Sequence, residues 1–386
     1  MEGLIEGVFN GISTGSVLLI AALGLAIVFG LMGVINLAHG ELMMLGAYAT
    51  FVVQNIFKSW GAPWSDFYII VAIPVAFIVS ATVGLILERG VIRFLYGRPL
   101  ETLLATWGVS LILQQFVRSV NWLLFIALGI FSLLFFGGLR LLQNRPNWSR
   151  IKNWAIALLL LLSGGIAIAF NALLNSNRVL TKPWFSARNV DVTAPTWLRG
   201  GIRILGFQAP YVRLWIITLT ILCLLGVYWF LQRSTWGLKI RAVTQNRTMS
   251  SCLGIPTAQV DALTFALGSG LAGIAGTAVS LLGSVGPNTG QNYIVDTFMV
   301  VVVGGVGNLF GSVIAALSIG TLNNFLSSGT LAFMLSSSKA PQPIIDFFDF
   351  FSTTSMAKVM VFAVIIFFLQ IKPAGLFPQK GRTAEL

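Results

Sequence analysis

Apolar and polar positions in this chain come in long blocks rather than alternating residue by residue. Apolar runs bounded by charge or turn residues occupy 11–32, 38–57, 67–87, 100–119, 121–142, 153–174, 211–231, 259–283, 293–306, 309–329 and 356–371. A hydrocarbon core about 30 Å thick takes about 20 residues of helix, and a lipid-exposed backbone must satisfy its own hydrogen bonds. The runs therefore read as membrane helices. The run at 293–306 is short for a full crossing and reads as a broken or re-entrant helix. The predicted fold class is all-α integral membrane, polytopic, with about 9–11 spans. Residues 121–174 form a two-span hairpin around a basic turn. Its runs carry almost no polar residue, which suits a surface facing lipid or a neighbouring subunit.

Composition sharpens this reading. Only 9% of the 386 residues are charged while 56% are apolar, and mean hydropathy is +0.87. A soluble domain carries about 25% charge, so an ordinary globular enzyme is excluded, and the apolar content excludes a disordered chain. Net charge is +12. The basic residues are scattered between apolar runs rather than gathered on one face, which argues against nucleic acid. They follow loop asymmetry instead, because cytoplasmic loops of membrane proteins collect Lys and Arg. Arg89, Arg93 and Arg98, then Arg140, Arg145, Arg150 and Lys152, then Arg233, Lys239, Arg241 and Arg247, then Lys372, Lys380 and Arg382 fall on one side if there are eleven crossings. That side is read as cytoplasmic, with the N-terminus outside and the C-terminus inside. The loop 175–210 then lies outside despite carrying Arg178, Lys182, Arg188, Arg199 and Arg203, so it is expected either to bind something or to mark a miscounted span. The acidic start MEGLIEG has no small-residue cleavage site after it and does not read as a cleaved leader.

The informative residues are polar ones at membrane depth, where a charge costs about 2.5–3.5 kcal/mol on insertion scales. The segment GLMGVINLAHGELMMLG brings Asn36, His39 and Glu41 into a break between two glycine-rich spans. Glu41 falls in the first turn of the following helix, whose partial positive end favours an anion. A second break, GSVGPNTGQNYIVD, carries Asn288, Gln291, Asn292 and Asp296. Glycine-interrupted, shortened spans in both halves of a transporter point to a central site. The alternative for the first break is a structural kink whose polar groups satisfy one another. Small-residue pairs such as Gly11 and Gly15, Ala272 and Gly276, and Gly307 and Gly311 permit close helix approach.

Enzyme motifs fail on context. GISTG at 11–15 matches the serine-nucleophile pattern but opens a span, with His39 as the only histidine in the chain. Cys223 and Cys252 form no disulfide framework or metal motif. No phosphate-cradling Gly-rich motif with Lys occurs, so an ATP-driven process needs another subunit to supply the nucleotide site. No cofactor is expected in this chain.

The stretch 232–257, QRSTWGLKIRAVTQNRTMSSCLGIPT, reads as a cytoplasmic loop with a short helix through Gln245–Cys252, capped by Thr244 and ended by Gly254 and Pro256. Together with INLAHGELMMLGAY, LLATWGVSLILQQ, VDALTFALGSGLAGIAG, VVVVGGVGNLFGSVIAA and KPAGLFPQKGR, it resembles the branched-chain amino acid class of ABC importer permeases, and within that class the first permease subunit of urea importers. The resemblance covers nearly the whole chain except 121–185, which reads as an insertion. It implies that Arg241 to Pro256 is the segment coupling to an ATPase subunit, with Ala242, Gly254, Ile255 and Pro256 as its recognisable positions and Arg241 and Arg247 as further coupling residues. It also implies a second permease subunit, two ATP-binding subunits and an extracytoplasmic solute-binding protein, which the 175–210 loop would dock, in a bacterial inner membrane.

The expected activity is a solute path for urea, with Asn36, His39, Glu41, Asn292 and Asp296 as candidate lining residues. Urea is neutral, and such amides and carboxylates could replace its hydration. The alternatives are a permease for branched-chain or other amino acids and, more distantly, a secondary transporter. Residue chemistry alone does not choose the solute.

Overall fold

Each of the eleven apolar runs is helical in the computed structural model, which describes residues 2–61, 64–143, 148–174, 181, 184–185, 189–204, 207–330, 333, 336 and 341–377. Arg145, Arg178, Lys182, Arg188, Lys380 and Arg382 lie outside the described residues, as does most of 175–188. The first half comprises α1 (Glu2–Met32), α2 (His39–Trp60), α3 (Tyr68–Gly90) and α4 (Pro99–Ser119). Then come α5 (Trp122–Gln143), α6 (Trp148–Leu174) and the antiparallel strands β1 (Gly201–Ile204) and β2 (Phe207–Pro210), paired in register from Gly201 opposite Pro210. The second half comprises α7 (Tyr211–Arg233), α8 (Thr235–Gln245), α9 (Arg247–Cys252), α10 (Thr257–Leu282), α11 (Thr289–Gly304), α12 (Leu309–Ser327), α13 (Gln342–Phe350) and α14 (Thr354–Ile371).

Eight of these helices (α1, α3–α7, α10 and α12) are long and apolar enough to cross a membrane, or nine spans if α13 and α14, bent by 104°, count as one. The predicted runs at 38–57 and 293–306 form α2 and α11 but fail that test. α2 buries His39, Glu41, Thr50 and Gln54 inside protein, where polar atoms do not meet lipid. α11 has 16 residues and is about 24 Å long, short of the hydrocarbon thickness. α1 also starts earlier than the apolar run suggested, at Glu2.

Residues 1–111 and 191–386 form one compact unit and residues 112–190 another. In the larger unit α1 and α10 are the most buried spans. Each opens one of two similar helix sets, α1–α2–α3 and α10–α11–α12, made of a long helix, a break, a second helix with a polar start and a third helix. α3 packs on α10 while α12 packs on α1, and α2 meets both α10 and α11. Glycine makes these approaches backbone to backbone. Gly24 abuts Gly268, Gly46 abuts Gly273, and a Cβ on Gly276 would overlap the Met43 carbonyl oxygen. Beside this seam the hydroxyls of Thr50 and Thr277 share a hydrogen bond of 2.9 Å. The small pairs read from the sequence lie in such contacts: Gly11 and Gly15 face Thr321 and Ala316 of α12, and Gly311 faces Gly304.

Contacts sort the loops into two ends of this unit. At one end Arg213 donates to the Asn10 carbonyl (3.4 Å), Phe9 packs on Phe207, and Gln54 and Tyr68 donate to the Thr193 carbonyl. Asp66 there accepts the hydroxyl and the backbone N–H of Thr196, which holds its carboxyl below the ordinary range. At the other end lie residues 91–98, α8–α9, and the tail, where Leu376 N–H donates to the Val303 carbonyl (2.8 Å). In the smaller unit α5 packs on α6, and Trp184 packs against Trp122 and Phe125 with ring centroids 4.7 and 4.9 Å apart.

Enlarging a seam glycine forces helices apart, and overpacking costs about 1–3 kcal/mol. Gly46→Val and Gly276→Val should each lower the melting temperature in detergent by a few degrees. Gly108→Ala, with open space around it, should leave melting unchanged.

Candidate functional site

The two breaks are built by local hydrogen bonds. α1 ends at Gly33, whose φ of +68° lies in the left-handed region that glycine adopts without a Cβ clash. Asn36 Oδ1 then accepts the Ala38 N–H (3.0 Å), and Thr106 of α4 accepts the Leu37 N–H (3.2 Å). This turns the chain back into the bundle, so that α2 begins beside the middle of α1. At the second break Thr289 Oγ1 accepts the Gly286 N–H (2.8 Å) and α11 follows. Gly40 and Gly290 meet backbone to backbone. From this point α2 runs towards the Asp66 end and α11 towards the tail end, so two helix N-termini oppose each other inside the protein.

Glu41 sits at that junction, 1% exposed. It belongs to the first turn of α2, and its carboxyl carbon lies beside Gly290 at the start of α11. Ser110 of α4 donates to its Oε1 (3.0 Å). Each helix N-terminus carries roughly half a positive charge, so opposed ends stabilise an anion that would otherwise be costly at this depth. His39 Nε2 lies 3.0 Å from the Ala21 carbonyl of α1. A carbonyl only accepts, so Nε2 carries the proton and Nδ1 is an acceptor. Neither His39 Nδ1 nor Asn36 Nδ2 has a hydrogen-bond partner among the described residues, although both side chains are buried. Buried polar atoms are nearly always paired, so this acceptor and this donor are available to water or solute.

Asn292 and Asp296 lie further along α11 and share a partner. Lys358 of α14 pairs with Asp296 Oδ2 at 3.0 Å and donates to the Asn292 carbonyl at 3.1 Å. Asn292 is exposed and Asp296 buried. The five predicted residues thus divide into a buried group at the α2 break and an ion-paired group on α11. Lys358, Thr106 and Ser110 escaped the sequence reading. A signal existed for two of them: Thr102, Thr106, Ser110 and Gln114 recur every fourth residue on α4, one helix face.

The stretch 232–257 folds as two helices, not one. Ser234 caps α8, accepting the Gly237 N–H (2.9 Å), so Thr244 is interior and donates to the Ile240 carbonyl (2.8 Å). Asn246, extended at φ −152°, is the cap of α9 and accepts the Met249 N–H (2.9 Å). The expected Thr244 cap is therefore corrected by an earlier helix start. Gly254 (φ +79°) ends α9, with Gly254 N–H bonded to the Ser251 carbonyl and Ile255 N–H to the Ser250 carbonyl, a Schellman closure. Pro256 leads into α10. Arg241 donates to Gln232 (2.7 Å), Ala242 is half-buried on α8, and Leu238, Met249 and Leu253 are exposed. Arg247, its side chain 49% exposed, reaches back over the bundle: it pairs with the buried Asp261 at 2.5 Å and lies 4.9 Å over the Tyr96 ring. Tyr96 donates to Glu88 (3.0 Å), and burial together with the nearby carboxylates pushes its phenol far up, so the hydroxyl remains a donor.

A helical membrane bundle with two opposed buried helix starts, and a separate loop of two capped helices at one end, is an architecture suited to a polytopic transport permease. The sequence comparisons say which one. The chain matches the family model described as the permease component of branched-chain amino acid transport systems over residues 7–369, and it belongs to that family. It is 25% identical to the high-affinity branched-chain amino acid transport system permease protein LivH of Salmonella typhimurium, over 96% of this chain and 94% of that one. It is 26% identical to BraD, the corresponding permease of Pseudomonas aeruginosa, over 83% and 85%. A shorter stretch, 29% of the chain, is 35% identical to the xylose transport system permease protein XylH of Haemophilus influenzae. No solved structure matches. The chain is thus a transport subunit of the ABC type rather than an enzyme, and works with ATP-binding and solute-binding partners.

Removing one member of a buried ion pair strands the other, at a cost of about 3–5 kcal/mol when both are fully buried and less here because Lys358 is one-third exposed. Asp296→Asn should lower the amount of protein in the membrane, and adding Lys358→Met should restore part of it. Immunoblotting of membranes checks both.

Proposed function

We propose that this chain forms the solute path for branched-chain or similar small apolar amino acids in an ABC importer of a bacterial inner membrane. What supports the reading is the family match over nearly the whole chain, taken with the names of the full-length relatives. The assembly comprises this chain, a second permease subunit, two ATP-binding subunits and an extracytoplasmic solute-binding protein. The N-terminus lies outside and the C-terminus inside. Two observations support this orientation: loop charge, and the location of Asn10 at the end opposite α8–α9. The outer end, with the β-hairpin and Arg199 and Arg203, receives the binding protein. The inner end presents α8–α9 to an ATP-binding subunit, with Ala242, Gly254, Ile255 and Pro256 shaping that segment and Arg241 fixing it to the end of α7.

In this reading the junction of α2 and α11 is the central gate. Asn36 Nδ2 and His39 Nδ1 offer one donor and one acceptor to a passing solute. Glu41 favours the ammonium of a zwitterion, while the α11 start favours its carboxylate. ATP binding in the partners shifts the balance between outward and inward states, because the states differ in affinity for the bound solute. The competing solute is urea, supported by the likeness of the chain's sequence blocks to urea-importer permeases.

Uptake of labelled leucine by cells expressing the whole importer decides between them. Excess unlabelled isoleucine should abolish it and excess urea should not; saturable urea uptake unaffected by leucine would sink the amino-acid reading. Glu41→Gln should reduce uptake about tenfold, the size of one lost charge-assisted contact, at unchanged protein level. Uptake equal to wild type would remove Glu41 from the path.

A further inference from the structure

Two buried carboxylates near α8–α9 have no part in the solute path. Glu88 lies in the last turn of α3 and Asp261 near the start of α10, 2% and 3% exposed. They belong to different helix sets, and Tyr96 and Arg247 stand between them. Arg247 occupies the first position of α9, where the partial positive charge of a helix end disfavours a cation. Arg247 is half-exposed, so helix-end electrostatics alone does not account for a cation there. Its contacts do: the 2.5 Å pair with Asp261 and the Tyr96 ring beneath its guanidinium. Tyr96 carries the connection onward through its hydroxyl to Glu88. Tyr96 also packs against the buried cluster formed by Val28, Val34, Ile92 and Phe265, and Val34 belongs to the break that leads into Asn36.

We propose that Arg247 is a positioning residue that clamps the coupling helix α9 to Asp261 and Tyr96, so that displacement of α9 moves both helix sets and the α1–α2 break together, rather than a residue that touches the ATP-binding subunit. The proposal rests on the docking of α8–α9 given under the proposed function.

The test uses the whole importer in proteoliposomes, with solute uptake, ATP hydrolysis and subunit co-purification measured on the same preparations. Arg247→Gln and Asp261→Asn should each raise the ATP hydrolysed per solute about tenfold while the ATP-binding subunits still co-purify, the size expected of an interacting pair. The exchanged pair, Arg247→Asp with Asp261→Arg, should return the ratio to within about threefold of wild type. Tyr96→Leu, which leaves the ion pair in place, should also raise the ratio, and Tyr96→Phe, which keeps the ring, should not. A wild-type ratio in Asp261→Asn and Tyr96→Leu overturns the clamp, as does loss of the ATP-binding subunits from Arg247→Gln, which would make Arg247 a docking contact. Failure of the docking reading looks different: the wild-type preparation itself would lack ATP-binding subunits.

Discussion

Close approach of helix backbones at small residues is the constraint on which the rest of this structure depends. In lipid, apolar side chains gain little by leaving hydrocarbon for one another, so helices associate through packing and hydrogen bonds. Gly24 against Gly268, Gly46 against Gly273 and Gly40 against Gly290 bring α1, α2, α10 and α11 together without intervening side chains. Only inside such a dense centre can α2 and α11 stand away from lipid. Their polarity and length, wrong for independent spans, become tolerable because other helices surround them.

The same seam sets the electrostatics. Placing the starts of α2 and α11 at one point concentrates two positive helix ends, and Glu41 occupies the place where both act. Ser110 supplies the hydroxyl, and α4 supplies Thr106 to hold the break. The buried acid on α11 is treated differently, since Asp296 faces the ammonium of Lys358. Two helix sets of the same plan thus carry acids stabilised by different means. One is held by helix ends and leaves neighbouring polar atoms open; the other is closed by an ion pair.

Much of this was legible in the sequence. The eleven helical runs follow from the length of apolar blocks, which the hydrocarbon thickness dictates. Asn36, His39 and Glu41 stood out because charge and amide are rare in such runs, and their glycine surroundings marked a break. The pairing of Asp296 with Lys358 was not legible, because 61 intervening positions carry no signal of contact and Asp296 alone looked like a candidate for solute. Thr244 does not cap: several residues in QRSTWGLKIRAVTQNRT can, and only the structure shows Ser234 capping α8 and Asn246 capping α9. The strand pair Gly201–Ile204 and Phe207–Pro210 was missed: its eight residues lack a long apolar pattern.

The sequence by itself determined that this is a multi-helix membrane permease, where its loops collect positive charge, and which few polar residues are out of place in lipid. Periodicity and block length are local properties, and the bilayer reads them directly. Only the tertiary structure decided which polar residues satisfy one another, which remain open at the meeting of two helix starts, and that Arg247 pairs with the buried Asp261. Those outcomes depend on which backbones come within touching distance, and that is fixed by packing across the whole bundle.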